Sequence, residues 1–128
     1  LSVMHSAGEL MNLEFEARSV NYEEALGGDI VQVFFEENPD DDPLEPTSKN
    51  VTLSVNYEFP PSRMGIEWCD GSEYDGGAEM QSYKISDSEL VLLLENSSTI
   101  KVTFSTTAEV FKKVEKLLEN ELGKPTNA

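Results

Sequence analysis

Residues 80–122 read MQSYKISDSELVLLLENSSTIKVTFSTTAEVFKKVEKLLENEL, and they decide the fold class. Three apolar-alternating runs, 80–85, 89–95 and 99–105, are separated by Ser86-Asp87-Ser88 and Asn96-Ser97-Ser98. Short polar connections of this kind join antiparallel neighbours. A different period follows. Val110, Phe111, Val114, Leu117, Leu118 and Leu122 fall on one face of a helix over 109–122. Thr106-Thr107-Ala108-Glu109 matches a capping box opened by Thr106, and Gly123 then Pro125 supply the stop. Burying each of those apolar side chains stabilises by roughly 1.5–3 kcal/mol, so the stripe is expected to dock on a sheet as core.

Upstream, residues 51–59 alternate cleanly: Val51, Leu53, Val55, Tyr57 and Phe59 on one side, Thr52, Ser54, Asn56 and Glu58 on the other. That is a half-buried strand, ended by Pro60-Pro61. A short strand over 65–69 follows, with Ile66 and Trp68 as its larger apolar members. Residues 11–17 alternate in the same way, with Leu13, Phe15 and Ala17 facing inward. The run 30–35 is apolar on both sides, as in a central strand covered twice. The expectation is an α+β fold, a mainly antiparallel sheet of about six to seven strands with one C-terminal helix packed on one face. Residues 11–123 form the single domain. Residues 1–10, without a clear period, read as a leader, and 124–128 as a tail.

Two connections are acidic. Residues 36–49 hold Glu36, Glu37, Asp40, Asp41, Asp42 and Glu45 with three prolines, so they cannot continue a ladder and form a long surface loop. Residues 70–77 hold Asp70, Glu73, Tyr74 and Asp75 among three glycines, a second acidic loop. The charge is lopsided. Of the 25 Asp/Glu and 9 Lys/Arg, 18 and 3 fall in residues 1–83, which therefore carry nearly all of the net −16. Such a surface repels nucleic acid and acidic membranes and speeds encounter with a basic protein.

Catalytic chemistry finds little footing. The sole histidine, His5, lies in the leader, so a dyad with Cys69 lacks a positioned base. Cys69 beside Trp68 reads as a packed free thiol, and one cysteine makes no intramolecular disulfide, which suits a reducing, cytoplasmic setting. Chance carboxylate pairs abound with 25 acids and carry no specificity for glycoside hydrolysis. Asp40-Asp41-Asp42 and the Asp70, Glu73, Asp75 group are oxygen donors of the calcium type, but neither reproduces an EF-hand loop. Residues 71–77 do not cradle phosphate, since carboxylates crowd them and no lysine follows. Asn50-Val51-Thr52 and Asn96-Ser97-Ser98 are glycosylation acceptors only in a secreted protein. No apolar run approaches the ~20 residues of a membrane span. No catalytic residue, cofactor or metal is expected.

The order of a first strand, an apolar strand, an acidic proline-containing loop, Tyr74-Asp75-Gly76-Gly77, the segments 80–95 and 100–105 and a terminal helix over 109–122 resembles the immunity protein 10 family, antidotes of bacterial polymorphic toxin systems. The likeness runs over about residues 11–122 and is strongest over 70–122; the loop 43–49 and Trp68-Cys69 depart from it. The resemblance implies an α+β cytoplasmic protein without enzymatic activity that binds and neutralises a cognate toxin. The partner-binding residues expected are Glu36, Glu37, Asp40, Asp41, Asp42, Glu45, Asp70, Glu73, Tyr74 and Asp75, with Tyr74 the aromatic anchor and a basic toxin domain the partner. A small acidic secretion or assembly chaperone, binding an extended client segment, is the alternative; an enzyme acting through carboxylates ranks third.

Overall fold

Alternation along the chain sorts apolar side chains into two facing layers, and a computed structural model describing residues 11–60 and 63–125 shows how. The element order is β1 (Asn12–Ala17), β2 (Ser19–Ala25), one 3-10 turn (Leu26–Gly28), β3 (Ile30–Glu36), β4 (Lys49–Asn56), β5 (Gly65–Asp70), β6 (Tyr74–Gly76), β7 (Met80–Ser86), β8 (Glu89–Leu94), β9 (Thr99–Phe104) and α1 (Ala108–Leu122). The α+β class, the antiparallel dominance and the C-terminal helix are as the sequence led us to expect. Instead of one sheet, two form, in the orders β1-β9-β8-β7 and β2-β3-β4-β5-β6. Every pairing is antiparallel except β1 with β9, which run parallel with Leu13 opposite Ile100 and Phe15 opposite Val102.

The inner faces meet in one core. Leu90, Leu92, Ile100, Val102 and Phe104 from the four-stranded sheet join Val33, Phe35, Val51, Leu53 and Ile66 from the five-stranded sheet. Phe35 and Phe104 cross between the layers with ring centroids 5.7 Å apart. In β3 only Val31, Val33 and Phe35 are buried, while Ile30, Gln32 and Phe34 are half-covered, so the strand is central in its sheet but covered fully on one side alone.

Helix α1 buries Val114, Leu117 and Leu118. It touches β2 of one sheet and β7 of the other, so it bridges the two layers at an edge of each rather than lying on one face. Its N-cap is Thr107, whose hydroxyl oxygen accepts from the Val110 amide at 3.1 Å; the cap expected at Thr106 sits one residue further on, and Glu109 occupies the first turn without closing a box. At the other end Gly123, with φ +84°, donates its amide to the Glu119 carbonyl, and its own carbonyl accepts the Tyr83 hydroxyl at 2.7 Å. That bond pins the helix end to β7. The expected leader over 1–10 and the last residues of the expected tail lie outside the described residues.

Candidate functional site: an acidic pole

Register decides where the acidic connections lie. β3 ends at Glu36, β4 starts at Lys49, β5 ends at Asp70 and β6 starts at Tyr74. Glu36 stands opposite Asn50, and Lys49 opposite Asp70. Both acidic connections therefore emerge from the same end of the five-stranded sheet. The chain passing from β1 to β2 reaches this end too, since the Arg18 amide donates to the Glu36 carbonyl at 2.8 Å.

Half of the expected contact residues have carboxylates engaged by backbone amides of their own connections, Asp42, Asp70 and Asp75 while still exposed. Asp41 is the organiser of the loop between β3 and β4: its carboxylate accepts from the Thr47 amide and hydroxyl, both at 2.9 Å, and from the Ser48 amide and hydroxyl at 3.0 and 2.8 Å. These donors, the Thr47 amide foremost, hold its carboxyl at about 2 against the usual 3.8. Asp42 accepts from the Leu44 amide, and Glu37 from the Lys49 amide at 2.8 Å. In the second connection Asp70 accepts from the Ser72 amide and hydroxyl and the Glu73 amide; the Glu73 and Ser72 amides, in that order, lead the donors that lower its pKa. Asp75 accepts from the Gly76 amide at 2.8 Å.

The other five are placed differently. Asp40, Glu45 and Glu73 are exposed. Glu36 is half-buried at the strand end, its pKa raised by that burial and then by the negative charge of Glu23. Tyr74 is 51% exposed and belongs to the short edge strand β6 rather than to a loop. That strand is held closely: a Cβ on Gly76 would come within 2.7 Å of the Ile66 carbonyl oxygen, so only glycine fits there unstrained.

Arg18 and Lys49 lie at this pole, but neither forms an ion pair with its acids among the described residues. Among the described residues the ion pairs are Arg63–Glu79 and Lys101–Glu89, neither of them here. Lys49, at the root of the first loop, donates instead to the Glu14 carbonyl at 3.1 Å. Leu44, which the sequence reading passed over, is 88% exposed at the centre of the Asp/Pro loop. A lone large apolar residue between two prolines and several acids was the available signal. The pole thus presents negative charge with two exposed apolar side chains, Leu44 and Tyr74, an arrangement suited to a protein contact with a polar rim.

Comparison with models of protein families, with curated proteins and with solved structures finds no match for this chain. Among the described residues no group of three or more His, Cys, Asp or Glu side chains is placed to hold a metal ion. Cys69 is buried and free. No helix of the described residues is long and apolar enough to cross a membrane.

Proposed function

We propose that the protein is an immunity-type antidote: it binds a basic bacterial toxin domain with its acidic pole and blocks the toxin's substrate by occupancy. One observation carries the reading: two acidic connections far apart in sequence emerge at one end of one sheet, where their acids outnumber Arg18 and Lys49 and form no ion pair among the described residues, with Leu44 and Tyr74 exposed between the acids. Carboxylates of this kind accelerate encounter with Lys/Arg clusters, and the apolar pair supplies the area from which affinity comes. The resemblance to the immunity protein 10 family supports the toxin as partner, and the cytoplasm as the place of action.

The test first reads the neighbouring gene for a toxin domain and then mixes that domain with the purified protein; a neighbour without one counts against the reading. Association is expected to slow steeply as salt rises. Exchanging Asp40, Glu45 and Glu73 for Asn or Gln should slow it at low salt and flatten the dependence, because these acids hold no loop amide. Tyr74→Ala should speed dissociation instead. An unchanged salt slope in the triple variant removes the acidic pole as the contact. Binding to an unfolded client segment but not to the folded domain would make the protein a chaperone.

A further inference from the structure

The exposed large apolar side chains of the described residues all sit at the ends of the five-stranded sheet. Leu44 and Tyr74 are at the acidic pole, and Leu26, Tyr57 and Phe59 at the opposite one. The second group lies on the β2–β3 and β4–β5 connections, joined where the Tyr57 amide donates to the Asp29 carbonyl at 2.6 Å.

Leu26 is the informative residue. Its φ is +52°, and Gly27 and Gly28 follow at +69° and +97°. Glycine enters this left-handed region freely, whereas the Cβ of a leucine crowds the following carbonyl. No burial offsets the strain, because the side chain is 62% exposed and outside the core cluster. Phe59, on the adjoining connection, is 75% exposed. Neither the backbone nor the core accounts for a leucine at position 26. Strained backbone of this kind clusters at sites that contact another molecule.

We infer that Leu26 and Phe59 form a second docking surface, for a protein segment that interleaves apolar side chains with lysines or arginines. Its charge selects that occupant. Asp29 and Glu58 lie on the two connections and Glu23 and Glu24 lead into them; against these acids Lys49 is at the far end of the sheet, and Lys113 of the helix sits over the Tyr22 ring. A second copy of this chain, at net charge −16, or an acidic membrane would be repelled. The ground beside the tips is amphipathic as well. A groove of about 700 Å³ opens there, with Met64, Met80 and Leu122 among its apolar lining; of its charged lining, Glu79 is paired with Arg63, which leaves Glu95 and Glu121 as carboxylates without a cation. Tyr57 borders it, its hydroxyl donating to Glu121 at 2.8 Å. Methionines adapt to varied apolar guests, and the carboxylates take the cations between them.

This surface stands independently of the acidic pole, and its test needs no toxin. A fluorescent Lys/Leu amphipathic peptide is titrated with the protein beside a Lys/Ser peptide of equal length and charge. The Lys/Leu peptide is expected to bind at least about tenfold tighter, the return on burying one apolar side chain. Leu26→Gly and Phe59→Ser should each remove most of that preference, while Leu44→Ser at the other pole leaves it intact. Leu26→Gly should also raise the urea midpoint of the free protein, since the strain disappears with the Cβ. Leu26→Ser, which keeps a Cβ, separates the loss of the apolar contact from the change of backbone. Equal affinity for the two peptides, a preference that survives in both Leu26 variants, or an equal loss with Leu44→Ser would overturn the proposal.

Discussion

Asp41 shows how one side chain changes meaning between sequence and structure. In the sequence it is one of three consecutive aspartates, indistinguishable from Asp40 and Asp42. In the folded chain it gathers four hydrogen bonds from Thr47 and Ser48, while Asp40 stays exposed. A carboxyl held at about 2 in the fold and 3.8 when free binds more protons in the unfolded state between those values. Its stabilising contribution is therefore complete above the unfolded pKa and disappears as pH falls from 3.8 towards 2. Asp70, also lowered, acts in the same direction. Urea midpoints measured from pH 5 to pH 2 should fall more steeply for the native protein than for Asp41→Asn. Parallel curves would mean that the carboxylate is not the loop's organiser. The negative charge of the site was thus legible in the sequence, but its division between loop building and contact was not, because the donors to Asp41 come from six and seven residues away.

Elements whose one face is buried were readable, and those without a buried face were not. β4, β8 and β9 alternate buried and covered positions, and their residues Val51, Leu53, Leu90, Leu92, Ile100 and Val102 carry that period in plain view. β2 and β6 hold no buried residue, so SVNYEEA and YDG look like connections; what makes them strands is backbone pairing to β3 and β5. Gly76→Ala forces a methyl against the Ile66 carbonyl and should cost about 1–3 kcal/mol, with amide exchange quickening in β6 before the rest of the sheet. For the helix, register is the question. Thr107→Ala should cost about 1 kcal/mol in thermal or urea unfolding, and Thr106→Ala much less, because the Val110 amide has Thr107 as its acceptor. A larger loss at Thr106 would return the cap to the position the capping-box pattern indicated.

At the scale of the whole molecule, charge and topology set the behaviour. With net charge −16 and only two ion pairs among the described residues, self-repulsion opposes the compact state, so moderate sodium chloride should raise the urea midpoint before any partner is present. A midpoint indifferent to salt would place the acids too far apart to interact. Leu118→Ala, at the fully buried meeting point of helix and sheets, should cost about 2–5 kcal/mol regardless of salt. The division into two sheets escaped the sequence for a topological reason: nothing in NLEFEA says that its partner is TIKVTF, 87 residues further on. That parallel pair has a temporal consequence. During synthesis β2 to β6 can close as successive hairpins before residues 99–104 are made, whereas β1 has no strand partner until β9 clears the exit tunnel. Capture of β1 thus depends on a strand made much later, and its unpaired edge is open to misassociation for as long as that wait lasts.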